Sequence, residues 1–480
     1  MDHYQLPMLD MLVKHQEKEP ISFHVPGHKN GLIVNRSLPD TFTDAFSWDV
    51  TELSGLDDLH QPEENIKAAE ELLADFYQTN NSYFLVNGST VGNLAMILGT
   101  VKAGDKVLVQ RNCHKSIMNG LKLANADPVF LAPQLDTNTG IAVGIDEENL
   151  LEGIRKHADC RAIILTYPNY YGMGFHIESV VVEAHKYNIP VLVDEAHGAH
   201  FIAGTPFPPS ALKMGADIVV QSAHKTLPSM TMGSFLHING TRVNAAKVEE
   251  YLRMLQSSSP SYPLMLSLDA ARSYIATYTE KDKQYMLEQI ELFKVELEKA
   301  TPLVVINTGD SVYTDPLKWV IAFKGGMTGY TLQTILEQVG IFTEMADDQY
   351  VLFVLPLLKK GETFPFKEAI RRIQEINWDE WLIESSPVPD DIPKYEKEST
   401  LALSYEEMDV KNTRLVHLRD SRGSVAAETI IPYPPGIPLI VKGEIITDAM
   451  IEQCVTLLNN GAKIQGGTLL GQGQIQIFEI

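Results

Sequence analysis

Residues 216–226 read ADIVVQSAHKT, a short apolar run that ends in polar residues and a lysine. Runs of this length, rich in Val and Ile, are typical of strands that are buried on both faces of a sheet. The lysine, Lys225, directly follows this predicted strand. It is either a solvated charge, as most lysines are, or an amine held at a strand end for covalent chemistry.

Similar apolar runs recur between residues 62 and 240, with helical stretches between them. This alternation predicts a parallel sheet covered by helices on both faces, and therefore an α/β fold. The run GSFLHI (233–238) comes after a short connection, so we expect it to join the sheet in the antiparallel sense. The other strand-like runs are SYFLVNGS (82–89), DKVLVQ (105–110), PVFLAP (128–133), RAIILTYP (161–168) and IPVLVDEAH (189–197).

The pattern changes towards both ends of the chain. Long helical stretches fill about residues 264–300, and apolar runs such as PLVVIN and KWVIAF alternate with helices after residue 301. We therefore expect an N-terminal segment over residues 1–61 and a major domain over 62–300. Residues 301–480 are expected to form one or more smaller C-terminal α/β domains.

Composition excludes several classes of function. The chain carries 62 acidic and 39 basic residues, a net charge of −23, which disfavours nucleic acid and anionic membranes as partners. No run of eighteen apolar residues occurs, and the start lacks a basic stretch followed by an apolar one, so we expect no membrane contact and a cytoplasmic location. Three scattered cysteines predict neither a disulfide framework nor a metal site.

Ligands of parallel sheets bind at the carboxyl ends of the strands, so the polar residues there are the first candidates for a site. Ser89 and Thr90 come after Gly88 at the mouth of a predicted helix, where backbone N–H groups, hydroxyls and the helix dipole favour a phosphate. Asp194 ends one predicted strand, and Lys225 comes directly after the next. Taken singly, each residue is better explained as a helix cap, a structural acceptor or a solvated charge.

Together these residues predict a site for pyridoxal 5'-phosphate. The lysine amine can form a Schiff base with the aldehyde of the cofactor. The aspartate can keep the pyridine nitrogen protonated, which makes the ring an electron sink. His114, after the run at 105–110, suits a ring stacked on the cofactor, and Ser222 and His224 would lie beside the phosphate.

Four motifs resemble the fold-type-I pyridoxal-phosphate enzymes: NGSTVGN (87–93), RNCHKS (111–116), VDEAHGAH (193–200) and SAHKT (222–226). Three others resemble the bacterial ornithine/lysine/arginine decarboxylases: FHVPGHKNG (23–31), DVTELSGLDDLHQPEENI (49–66) and AAETIIPYPPGIPLIVKGE (426–444). The resemblance covers nearly the whole chain. It implies a mostly parallel seven-stranded sheet flanked by helices, with a smaller C-terminal α/β domain.

The resemblance also implies roles for individual residues. Lys225 would form the Schiff base, Asp194 would pair with the pyridine nitrogen, and His114 would stack on the ring. Glu444 would lie near the distal cation of the substrate, with Glu428 as a rival, and His197 replaces an aromatic residue of the large members at the cofactor. The residues expected around the phosphate are Ser89, Thr90, Ser222, His224 and, across a dimer interface, Ser258.

The implied reaction is the decarboxylation of a basic L-amino acid with pyridoxal 5'-phosphate. Arginine, converted to agmatine for polyamine synthesis, is the first expectation, and lysine and ornithine are alternatives. A fold-type-I aminotransferase or lyase and a non-catalytic cofactor-binding regulator also stay open on the sequence alone. Because PGHK begins at residue 26, we expect no amino-terminal wing domain, and a homodimer or a dimer of dimers.

Overall fold

The computed structural model describes residues 1–307, 309, 313–381, 396–432, 438–459 and 464–480. Of the proline-rich C-terminal motif, residues 433–437 lie outside these ranges. No helix within the described ranges is both long and apolar enough to cross a membrane.

Helices and strands alternate along much of the chain. The helices are α1 (Pro7–Gln16), α2 (Asp40–Thr43), α3 (Asn65–Tyr77), α4 (Gly88–Thr100), α5 (Lys115–Ala124), α6 (Glu147–Lys156), α7 (Glu178–Lys186), α8 (Ala223–Thr226), α9 (Ala245–Leu255), α10 (Tyr262–Ala276), α11 (Glu280–Ala300), α12 (Gly329–Gln338), α13 (Phe366–Gln374), α14 (Tyr405–Val410) and α15 (Asp448–Asn459). The strands are β1 (Asn81–Leu85), β2 (Lys106–Gln110), β3 (Asp127–Leu131), β4 (Gln134–Leu135), β5 (Ala142–Gly144), β6 (Ala162–Thr166), β7 (Met173–Gly174), β8 (Val191–Asp194), β9 (Ile218–Gln221), β10 (Ser234–Ile238), β11 (Leu303–Val305), β12 (Tyr313–Thr314), β13 (Lys318–Phe323), β14 (Met345–Ala346), β15 (Val351–Val354), β16 (Glu398–Thr400), β17 (Thr413–His417), β18 (Ile431–Pro432), β19 (Ile464–Gln465) and β20 (Gln474–Phe478).

These elements belong to two compact units. Unit 1 comprises Met1–Thr100, Pro190–Thr205 and Pro209–Tyr278. Unit 2 comprises Val101–Ile189, Pro206–Pro208 and Thr279–Ile480.

Unit 1 holds four neighbouring strands in the order β1-β10-β9-β8. Strands β8 and β9 run parallel, and β10 is antiparallel to both β9 and β1, as expected for residues 233–238. Helix α4 packs closely on these strands, because a Cβ atom on Gly92 would come within 2.7 Å of the Leu85 and Val220 side chains. The glycine therefore lets the helix approach the sheet and fixes where its first turn lies.

Unit 2 holds strands β6, β2, β3 and β16 side by side in that order. The first three are parallel, and β16 pairs antiparallel with β3. Farther along the chain, β11-β13-β15-β14 form a separate antiparallel sheet. A further apolar core contains Ala426, Ile440, Cys454 and Ile477 and lies beside the paired strands β17 and β20.

The predicted fold class is confirmed. Between residues 81 and 238 lie seven strands other than the short β4, β5 and β7, and five of the seven stand in parallel pairs. The strands in parallel pairs are rich in Val, Ile and Leu and almost fully buried, as expected for this architecture. Strand β16, which adds to β3 from residues 398–400, was not predicted, because three residues are too few to show a period.

Candidate active site

Lys225 lies on a rigid turn. Strand β9 is fully buried and leads through Ser222 into α8, a single helical turn that carries the lysine. The turn is fixed on its far side because the backbone N–H of His224 donates to the Gly233 carbonyl at 3.2 Å, and its ring Nδ1 lies 3.0 Å from the same oxygen. The lysine backbone is therefore held at the end of a core strand, while its side chain remains half-buried.

His197 is the neighbour of this lysine. Its Nε2 lies 3.0 Å from Lys225 Nζ, and the imidazole is buried. An ammonium group can only donate, so the imidazole nitrogen accepts a hydrogen bond when Lys225 is protonated. His197 lies three residues after Asp194, so the end of β8 brings an imidazole to the amine of Lys225.

Asp194 is held by two donors. Asn93 Nδ2 donates to Oδ2 at 2.9 Å, and the Ala196 backbone N–H donates to Oδ1 at 3.2 Å. The carboxylate is 3% exposed, so water does not compete for its position. Sequence reasoning missed Asn93, although its spacing of four residues from Ser89 places both side chains on one face of α4.

The predicted phosphate cradle is open. Gly88 begins α4 with φ +79°, and a Cβ atom built on it would meet no heavy atom within 4 Å. Ser222 Oγ donates to Ser89 Oγ at 2.8 Å, so hydroxyls from 133 residues apart meet at the first turn of this helix. Thr90 is the next residue of the helix and is exposed.

Ser258 lies on an exposed segment of unit 1 that neighbouring side chains hold in place. The backbone N–H of Ser257 donates to Asn87 Oδ1 at 3.1 Å, and His60 Nε2 lies 2.8 Å from the Ser257 carbonyl oxygen. His60 belongs to the motif at residues 49–66, for which sequence reasoning had assigned no contact. The serine segment is therefore joined both to this motif, through His60, and to the turn before Gly88, through Asn87.

The other predicted residues belong to unit 2. His114 is the N-cap of α5, where its Nδ1 accepts from the Ser116 backbone N–H at 3.2 Å. Glu428 is half-buried, and its Oε1 accepts from the Gln476 backbone N–H at 2.9 Å.

Glu444 is a buried ion-pair partner of Arg111. The guanidinium donates to both carboxylate oxygens, with Nη2 and Oε2 2.8 Å apart. Ser399 Oγ donates to Oε1 at 2.7 Å, and the Val441 backbone N–H donates to Oε2 at 2.9 Å. Both side chains are almost fully buried, with 4% and 2% exposure. Sequence reasoning missed Arg111, because 333 residues separate it from its partner.

Within unit 1, then, the fold brings together Lys225 with His197, and Ser89 with Ser222, and it orients Asp194 through Asn93. A half-buried lysine, an oriented buried carboxylate and an open cradle with two hydroxyls fit a cofactor that has an aldehyde, a pyridine nitrogen and a phosphate. No group of His, Cys, Asp and Glu in the described part of the chain is arranged to hold a metal ion. Fold and site together define a fold-type-I pyridoxal-phosphate enzyme.

Comparison with known families narrows this class. The sequence matches the Orn/Lys/Arg decarboxylase major domain over residues 6–312 and the C-terminal domain of the same family over residues 392–464. The chain belongs to the Orn/Lys/Arg decarboxylase family. Its reaction is the pyridoxal-phosphate-dependent decarboxylation of a basic amino acid, which displaces the aminotransferase, lyase and regulator alternatives.

Individual relatives are similar over nearly the whole chain. The uncharacterized protein YaaO of Bacillus subtilis is 45% identical over 98% of both chains. The arginine decarboxylase of the same species is 31% identical over 97% of this chain and 96% of the relative. The solved lysine decarboxylase of Francisella novicida covers 98% of this chain and 81% of that one with a TM-score of 0.81 at 21% identity, which shows the same fold.

Proposed function

We propose that this protein decarboxylates L-arginine to agmatine, as a step towards polyamines, with Lys225 as the residue that carries the cofactor. The contact between Lys225 Nζ and His197 Nε2 at 3.0 Å, beside an oriented Asp194, carries the site assignment. The choice of arginine is supported by a relative named arginine decarboxylase at 31% identity over nearly the full length. Lysine and ornithine are the second and third choices.

Three side chains of unit 1, Lys225, His197 and Asp194, would act directly on the cofactor or on protons. When bound, the cofactor supplies an electron sink for the pair that stays on Cα as CO₂ departs. Lys225 would hold the aldehyde carbon, and His197 Nε2 would accept a proton from Lys225 Nζ when the free amine is needed. Asp194 would keep a proton on the pyridine nitrogen, because an anion beside that nitrogen favours its charged form.

The phosphate would lie at the start of α4. There the hydroxyls of Ser89, Thr90 and Ser222 would donate to its oxygens, together with the N–H groups of the first helical turn. His224 would help to hold this group, since its ring is fixed by the Gly233 carbonyl oxygen. The stacking role of His114 stays a prediction.

For the distal cation of the substrate we propose Glu428 rather than Glu444. Both oxygens of Glu444 are occupied by Arg111 and by further donors in a buried setting. Freeing that carboxylate for a substrate would take the carboxylate away from the buried Arg111 guanidinium, and removing one partner of a buried ion pair costs several kcal/mol, on the order of 3–5. Glu428 is half-buried, and the hydrogen bond that its Oε1 accepts comes from the Gln476 backbone N–H and not from a buried cation.

We also propose a cytoplasmic homodimer or dimer of dimers, in which Ser258 reaches a phosphate of the partner subunit. Support comes from the exposure of Ser258 on a segment held by Asn87 and His60. The proposed organisation keeps an N-terminal segment (1–61), a cofactor-binding major domain (62–300) and a C-terminal part (301–480). Light scattering of the purified protein measures the assembly, and a monomer at working concentration would contradict it.

One assay tests the substrate and the reaction together. The purified protein is incubated with pyridoxal 5'-phosphate and with arginine, lysine or ornithine separately, and the product is identified by mass spectrometry. Agmatine from arginine is the expected product, at a kcat/KM higher than for the other two amino acids. Cadaverine or putrescine as the preferred product would refute the choice of arginine, and a keto acid without CO₂ would refute decarboxylation.

A further inference from the structure

A row of hydrogen-bonded polar side chains crosses the core of unit 1, with three members on the neighbouring strands β1, β10 and β9 and a fourth directly after β8. Ser82 on β1 contacts His237 on β10 through Oγ and Nδ1 at 2.7 Å. His237 Nε2 lies 3.2 Å from Gln221 Oε1 on β9, and Gln221 Nε2 donates at 2.5 Å to Oε2 of Glu195, the residue directly after β8. We call these four residues the transverse ladder.

The direction of each hydrogen bond in the ladder is set by the chemistry of its members. Burial lowers the pKa of His237 to about 3, so its ring is neutral and has one N–H. The carbonyl oxygen of Gln221 can only accept, so Nε2 of the histidine donates and Nδ1 accepts from the Ser82 hydroxyl. Thr79 then donates to Ser82, their oxygens being 2.8 Å apart. Every bond therefore points towards Glu195, and such chains strengthen one another.

The far end of the ladder is closed as well. The Ala211 backbone N–H donates to Glu195 Oε1 at 2.7 Å, and Ser210 Oγ lies 3.0 Å from Oε2. Burial raises the pKa of Glu195 to about 8, so near neutral pH the protonated carboxyl predominates and adds little negative charge beside Asp194. The ladder is then largely uncharged, so it acts on the sheet through its hydrogen bonds rather than through charge.

Such a row of buried polar side chains stabilises a core less effectively than apolar packing does. All four side chains are buried, with Gln221, His237 and Glu195 at 0% exposure. Buried hydrogen bonds contribute only modestly to net stability, and apolar side chains of similar volume often serve as well or better. What directional bonds add is a fixed spacing and register between strands, which apolar packing specifies less strictly.

The ladder ends next to the residues of the proposed site. Asp194 directly precedes Glu195, and Ser222 is the residue after Gln221, with Lys225 three residues later. Side chains of neighbouring residues along an extended chain point to opposite faces of the sheet. The ladder side chains therefore lie on one face, and those of Asp194 and Ser222 lie on the other. A bond between Glu195 and Gln221 thus ties together the two strand ends that carry the carboxylate and the lysine.

We propose that the transverse ladder is a positioning device that sets the separation between Asp194 and Lys225. The inference rests on the proposed function, because it takes these two residues as those that hold the cofactor. In this proposal the members of the ladder are positioning residues, because their side chains point away from the face that carries Asp194 and Ser222. They act through the two strand ends.

The test replaces the centre of the ladder with apolar side chains of similar shape, in the double variant Gln221→Met/His237→Phe. Phe keeps a ring against Tyr77, which stacks on His237 with centroids 4.2 Å apart. Ser82 retains Thr79, and Glu195 retains Ser210 and Ala211, so each outer member keeps a partner. Two quantities are measured on the full-length apoprotein: the urea midpoint of unfolding, and the rate at which pyridoxal 5'-phosphate with borohydride labels Lys225.

The matched control is Glu70→Gln. Glu70 is a buried carboxyl of the same unit whose pKa burial also raises to about 8, but it accepts from the Phe84 backbone N–H, away from the ladder. We expect the double variant to keep or raise the urea midpoint while the labelling rate falls about tenfold or more, since displacements near 1 Å can cost a hundredfold. The control is expected to label at the wild-type rate.

Labelling of the double variant at the wild-type rate would overturn the ladder proposal and leave the proposed function intact. A fall in labelling that only parallels a lower urea midpoint would also overturn it, because that is the mark of general destabilisation. If the double variant does not fold, Gln221→Met alone removes the bonds from Gln221 to His237 and to Glu195, leaves the bond between Ser82 and His237, and carries the same expectation. Wild-type protein that is not labelled at Lys225 would instead contradict the proposed function, and the purpose of the ladder with it.

Discussion

Substitution of Glu444 distinguishes two possible roles of its carboxylate. It is either the partner of Arg111 in a buried ion pair or the group that binds the substrate. In Glu444→Gln the amide presents its NH₂ or its oxygen to Arg111, and the guanidinium keeps its charge at about 4% exposure. Solvent screens a buried ion pair only slightly, so its interaction energy is not reduced in the way that of an exposed pair is. Breaking a buried pair by removing one partner costs about 3–5 kcal/mol. We therefore expect Glu444→Gln to lower the free energy of unfolding by about 3 kcal/mol.

The matched variant is Glu428→Gln. Its side chain is half-buried, and Gln keeps an oxygen for the Gln476 backbone N–H, so stability should change by no more than about 0.5 kcal/mol. A charge-assisted hydrogen bond to the substrate contributes about 1.5–3 kcal/mol. If Glu428 binds the distal cation, its loss should raise KM by roughly ten- to a hundredfold, at about 1.4 kcal/mol for each factor of ten.

The assays are urea denaturation measured by circular dichroism and steady-state release of CO₂ from arginine. A third variant, Arg111→Met/Glu444→Leu, removes both charges, and we expect it to recover much of the stability that the single change loses. The reasoning is refuted if Glu444→Gln unfolds like wild type and raises KM a hundredfold, because Glu444 would then be the substrate-binding carboxylate.

Three further substitutions probe residues of unit 1. Lys225→Ala should abolish the visible absorbance of the purified protein with pyridoxal 5'-phosphate, and a chromophore that persists would refute the role of the lysine. Asp194→Ala should lower kcat by at least about a hundredfold with the protein still folded, as is usual when a group that stabilises developing charge is lost. Because burial raises the pKa of Glu195 to about 8, its protonated form stabilises the fold fully below the usual glutamate value, and this contribution is lost as pH rises through 8. Glu195→Gln should therefore weaken the fall of the urea midpoint between about pH 5 and 8, and a fall as steep as in wild type would contradict the raised pKa.

Sequence patterns predicted the strands because burial on both faces demands uninterrupted apolar runs. Strand β9 and its polar end, Ser222 to Lys225, were visible in this way, and so was the antiparallel β10. Asn93 could have been found, since it repeats at helical spacing after Ser89. Its task could not, because a hydrogen bond to Asp194 joins residues 101 positions apart.

Polar contacts between residues far apart in the sequence could not be predicted from the sequence. Nothing local distinguishes Glu444 as a partner of Arg111 from Glu444 as a carboxylate waiting for a substrate. His237 and Gln221 lie inside apolar strands, and their hydrogen bond exists only because β9 and β10 pair in one register. A shift of one residue would turn either side chain to the other face.

By itself the sequence of this protein determined its class of fold, its family and the chemistry of its cofactor. Periodicity reports burial, and the residue types at strand ends limit which chemistry is available there. Only the tertiary structure decided which of these residues meet: Lys225 with His197, Asp194 with Asn93, and Glu444 with Arg111. The physical reason is that hydrogen bonds and ion pairs act over about 3 Å in space, whatever the number of residues between the partners along the chain.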